Sequence, residues 1–74
     1  MERFDLEVRE GDETLAVERA VELATSNELW TRVAGLAETM YAPGRTIRVT
    51  NGVGELIVLI GVAAALRYGT PFGA

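Results

Sequence analysis

The chain has 74 residues, 49% of them hydrophobic, and eleven acids against seven basic side chains give it a net charge of −4. That length allows one small domain spanning 1–74, which buries only about 60–65% of its unfolded surface, while the apolar content is too high for intrinsic disorder. Cys and His are both absent. This removes internal disulfides and the usual ligands of zinc, haem and non-haem iron, and makes a partner subunit the favoured extra stabiliser.

The charge is uneven. Met1 to Glu22 holds eight acids and three arginines, whereas Leu23 to Ala74 holds three acids and four arginines. A general nucleic-acid binder needs a concentrated basic surface, and neither half supplies one. Arg45 and Arg48, with Arg32 nearby, could still offer phosphate contacts, and a weak DNA-binding regulator is the reading they would support. Every basic residue is Arg, which a compositional bias explains more simply than the preference for Arg over Lys in paired contacts at interfaces. The charged, alternating start has no basic segment followed by an apolar one. Together with the lack of cysteine, it leads us to expect a cytoplasmic protein.

Along the chain, Arg3 to Val8 alternates, with Phe4, Leu6 and Val8 on one side and Arg3, Asp5 and Glu7 on the other. That period indicates a half-buried strand. Glu10-Gly11-Asp12 breaks it, and Asp12 has the chemistry of a helix cap. From Glu13 to about Thr25 the spacing of Val17, Ala20, Val21 and Ala24 predicts an amphipathic helix. A second helix is expected from Glu28 to Met40 or Tyr41, with Trp30, Val33, Ala37 and Met40 on its apolar face and a Thr25–Glu28 capping pair before it. Pro43-Gly44 suits the centre of a type II turn. The two helices, so closely joined, should form an αα-hairpin.

Arg45 to Thr50 is rich in β-branched residues and reads as a strand, followed by Asn51-Gly52, a favoured type I′ hairpin turn. That turn would set Thr50 opposite Val53, Arg48 opposite Glu55 and Ile47 opposite Leu56. Beyond it, the Ile57–Ile60 cluster favours a strand and Ala63–Arg67 a helix, which gives a strand to about Ile60, a bend at Gly61 and a short helix. One continuous helix over Gly54–Tyr68 is the competing reading. The expected fold class is therefore α+β, a small β-α-α-β-β-α domain.

Leu56 to Leu66 is eleven residues without a charge. As a helix it would be about 16 Å long, roughly half of a bilayer's hydrocarbon core. Membrane anchoring through this segment is thus less favoured than burial against another protein. The interface residues expected on this basis are Leu56, Val58, Ile60, Val62, Leu66 and Tyr68, with Trp30 beside them.

The inventory for catalysis is poor. Without His, Cys or Lys the standard nucleophilic dyads, triads and Schiff-base chemistry cannot be assembled in one chain. Ser26, the only serine, falls where a cap or loop residue is expected. Glu7, Glu10, Asp12 and Glu13 lie close together but lack calcium-loop spacing. The glycines match no phosphate-binding loop. No catalytic residue, cofactor or metal is expected. The function that follows is a non-enzymatic interaction or structural module, which self-associates or serves as a small subunit of a larger assembly.

Overall fold

The structure is a computed structural model that describes residues 2–69, without the side chain of Tyr68. Its elements are β1 (Glu2–Glu10), β2 (Glu13–Leu23), α1 (Ser26–Thr39), β3 (Arg45–Asn51), β4 (Leu56–Gly61) and α2 (Val62–Gly69). The four strands form one sheet in the order β2-β1-β3-β4, and every neighbouring pair is antiparallel. The order is symmetric about the β1–β3 junction. Each half of the chain supplies a central strand, an edge strand and then a helix.

The two central strands carry the clearest period-2 pattern. Phe4, Leu6 and Val8 of β1 and Ile47 and Val49 of β3 point into the core, while Asp5, Glu7, Arg9 and Arg48 face the other way and stay half-buried. Both helices cover the inner face. Leu29, Val33 and Ala37 of α1 and Val62 and Ala65 of α2 are buried against it. Spacings of three and four residues place those side chains on one stripe of each helix.

The local signals around α1 behave as their chemistry requires. Thr25 caps the helix, its hydroxyl accepting from the Glu28 N–H at 3.2 Å, and the Glu28 carboxylate accepts from the Ala24 N–H at 3.1 Å. After α1, Arg45 N–H donates to Ala42 C=O at 3.3 Å around Pro43 and Gly44, whose φ is +86°. A Pro followed by a residue with positive φ is the type II pattern.

Glu13–Leu23 corrects the sequence reading. It is a strand, not a helix, so the order is β-β-α-β-β-α and there is no αα-hairpin among the described residues. The link between β1 and β2 is the two-residue turn Gly11-Asp12, with Glu10 opposite Glu13 and Gly11 at φ +60°. A glycine with positive φ at the first central position suits a tight hairpin. β2 is then irregular twice, with register shifts at Val8/Arg9 and Phe4/Leu6. At the second shift Arg19 and Ala20 together face Asp5. Ala20 takes the left-handed φ of +54°, and its N–H donates to Asp5 Oδ1 at 2.9 Å. Each bulge moves the inward-facing set by one residue. The apolar spacing therefore imitates a helix.

The β3–β4 register is also corrected. Arg48 lies opposite Leu59 and Ile47 opposite Ile60, not opposite Glu55 and Leu56. The cause is the Asn51 side chain. Its Oδ1 accepts from the N–H groups of Val53 and Glu55, and its Nδ2 donates to the Glu55 carboxylate at 3.0 Å. The backbone closes with Asn51 N–H donating to Glu55 C=O at 2.9 Å. This longer loop replaces the two-residue turn, and its positive φ falls on Gly54 at +89°. Past the loop the chain is a strand to Gly61 and a helix from Val62. The strand–bend–helix reading describes it, and the single-helix alternative does not.

Candidate interaction surface

The position of β4 at the end of the sheet decides which side chains it exposes. Residues opposite each other in neighbouring strands share a face. Val58 and Ile60, opposite Val49 and Ile47, therefore face the helices and are half-buried. Leu59, opposite Arg48, faces outward and is 61% exposed. A register shift at Ile57 reverses the alternation, so Leu56 pairs with Thr50 and is also outward, 49% exposed. Ile57 sits at the rim of a small hollow with Phe4 and Leu29, and Val53 is exposed on the preceding loop.

The outer face away from β4 is different. One row runs Val17, Glu7, Arg48, Leu59 across the four strands. Its centre is charged, and Glu7 has Arg9 alongside, with Arg9 Nε 3.8 Å from the carboxylate. The apolar surface is therefore concentrated at the β4 edge, where the outward backbone N–H and C=O groups have no neighbouring strand among the described residues.

The residues expected at an interface divide into groups. Leu56 is exposed on the edge. Val58, Ile60, Trp30 and Leu66 are half-buried and packed against the core. Val62 is 2% exposed and belongs to the chain's own core, because it opens α2 directly beneath the sheet. The Tyr68 side chain lies outside the described residues. Leu59 and Ile57 are the exposed members of β4 missing from the expected set, which took the alternate residues Leu56, Val58 and Ile60. The expected pairing of Arg48 with Glu55 already puts position 59 on the face of Arg48, and the four-residue slip to Leu59 keeps it there.

Other arrangements are already engaged within the chain. Arg32 Nε donates to Glu18 Oε1 at 2.9 Å, and Arg45 donates to Glu10 at 3.2 Å and to Met40 C=O at 2.9 Å. Two of the three arginines considered for phosphate contact are thus held by carboxylates, on separate elements. Glu10 and Glu13 face each other at the hairpin while Glu7 lies further along β1. Among the described residues no group of three or more acids is placed to hold a metal ion. An open groove between α1 and β2 has Ala16, Leu23, Leu36 and Met40 in its lining, with the Glu18–Arg32 pair bridging it. No helix among the described residues is long and apolar enough to cross a membrane.

No protein-family model, curated protein or solved structure matches the chain.

Proposed function

We propose that this chain is a non-enzymatic, cytoplasmic protein-interaction module that binds by accepting a strand at its β4 edge. The observation that carries this reading is an uncharged edge strand, Leu56–Gly61, with Leu56, Ile57 and Leu59 all more than 45% exposed. An edge of this kind offers a row of backbone hydrogen-bonding groups, which an added strand satisfies while the side chains give specificity. The small size of the domain adds a reason for the partner. Strand addition lengthens the sheet and covers the half-open flank of Val58 and Ile60, which α2 alone leaves partly accessible.

Leu59→Lys tests the reading. A lysine on an edge strand opposes strand addition, yet at this exposed position it costs the fold little. The protein recovered from its source without detergent is expected to sediment as a larger species. The Leu59→Lys protein is expected to run at the mass of one chain with unchanged circular dichroism and thermal midpoint. Association that survives the substitution would refute the β4 edge as the contact.

A further inference from the structure

We infer that the strand accepted at the β4 edge is the β4 strand of a second copy, paired antiparallel across a two-fold axis at Leu59. This rests on the edge reading above and gives it a partner and a register.

Charge is the first argument. Two copies each carrying −4 repel least where they meet at a surface without charge. The opposite edge of the sheet, β2, carries Glu13, Glu18, Arg19 and Glu22, whereas β4 carries no charged residue. An antiparallel pair of β4 strands therefore sets no like charges against each other, a condition two-fold contacts must meet because each residue also faces its own kind or near neighbours.

The register follows from the irregularity at Ile57. The regular part of β4 starts at Val58 and ends where α2 begins. Centring the axis on Leu59 pairs Leu59 with its counterpart on the outer face and Val58 with Ile60 of the other copy on the inner face. Each inner pair then continues the buried rows that already run through Ile47 and Val49. The antiparallel alternation of strands is preserved across the junction, and the helices of both copies stay on one side. The result is an eight-stranded sheet with its apolar strip at the centre and the charged β2 edges outermost.

The absence of cysteine makes the test specific. Single-cysteine variants Leu59→Cys, Leu56→Cys and Val17→Cys are oxidised with dioxygen and a copper–phenanthroline catalyst. Two thiols lose two protons and two electrons to form the S–S bond, and dioxygen is reduced to peroxide. Directly opposed residues in antiparallel strands have Cα atoms about 4.5–5.5 Å apart, within disulfide reach. In the proposed register the two copies of position 56 are about six residues apart along the strands, roughly 20 Å. Wild-type protein is expected to sediment at twice the chain mass, and Leu59→Cys to cross-link at least tenfold faster than either other variant. All three positions are partly exposed, and circular dichroism checks that each variant folds.

A wild-type monomer at every concentration tested overturns the second copy as partner, while the β4 edge itself stands or falls on Leu59→Lys in the protein from its source. A dimer that cross-links fastest through Leu56→Cys overturns the register. A dimer that cross-links fastest through Val17→Cys overturns both the second-copy inference and the β4 edge.

Discussion

The two edges of the sheet solve the same problem by different means. Both β2 and β4 leave one side of their backbone unpaired by the sheet, which invites further strands. β2 is eleven residues long, carries charge at four of them and is bent by two bulges; one is anchored by the Asp5–Ala20 hydrogen bond. It is also tied to α1 through Glu18 and Arg32. β4 is six residues long, uncharged, and irregular only at its start. The pseudo-symmetric halves thus share a topology without sharing surface chemistry. One edge is twisted and charged, the treatment that discourages pairing, and the other keeps a short apolar stretch that favours it. The sequence difference between β2 and β4, more than their position, is what supports assigning contact to one of them.

The largest way to break this comparison is to remove what both edges lean on. Ile47 is fully buried on central strand β3, between Val8 and Ile60. Ile47→Ala deletes buried methyl groups and leaves space that the sheet closes only in part, so it is expected to cost about 2–5 kcal/mol. Urea denaturation measures this, and in so small a domain the loss is a large fraction of the total stability. Association and folding should then fail together. Leu59→Lys is the contrast, since it removes association alone.

Smaller effects separate the edges. Ala20 holds a left-handed backbone that costs an L-residue about 1–2 kcal/mol. Ala20→Gly relieves that strain but adds freedom to the unfolded chain. The net expectation is a gain of about 0.5–1 kcal/mol, read as a raised urea midpoint, with no change in association. Asp5→Ala removes the acceptor of the Ala20 N–H and is expected to lower stability by about 1 kcal/mol. If Ala20→Gly instead destabilises the protein, the bulge is not the strained element described here. If Asp5→Ala produces association that survives Leu59→Lys, the bulge is what keeps β2 from pairing.

The part of the fold that was legible in the sequence is the part where local chemistry and period agree. β1 and β3 alternate without interruption, α1 has its stripe and its Thr25–Glu28 cap, and Pro43-Gly44 and Gly61 mark the turn and bend they suggest. β2 was illegible because bulges near Leu15 and at Arg19–Ala20 shift the phase twice. Val17 on the outer face and Val21 on the inner face then stand four residues apart, as they would on one side of a helix. Gly11-Asp12, exactly two residues between two strands, was the available signal. The candidate surface was legible as a segment but not as a face. Asn51-Gly52 has the composition of a type I′ turn, which needs positive φ at both central residues, yet neither Asn51 nor Gly52 has one. The Asn51 side-chain hydrogen bonds impose a longer loop; the four-residue slip leaves Leu59 on the face of Arg48, and the irregularity at Ile57 is what turns Leu56 outward.

The smallest expected effect tests whether the charged edge is held closed by its ion pair or only by its composition. Arg32 and Glu18 meet at 2.9 Å, but their side chains are 48% and 36% exposed, so solvent screens the pair and it contributes well under 1 kcal/mol. Arg32→Ala should shift the urea midpoint only slightly, with the difference from wild type shrinking further in high salt. Glu18 faces Leu6 across the sheet and remains a charge on β2 after its partner is removed, so the edge should still refuse a strand and the dimer should keep its mass. Glu18→Val is the sharper companion. It removes the inward charge from β2 and continues the apolar row through Leu6, Val49 and Val58. Higher oligomers in Glu18→Val but not in Arg32→Ala would show that a single carboxylate on the strand, rather than its tie to the helix, distinguishes the two edges. Higher oligomers in Arg32→Ala would show the reverse, that the tether to α1 is what keeps β2 closed.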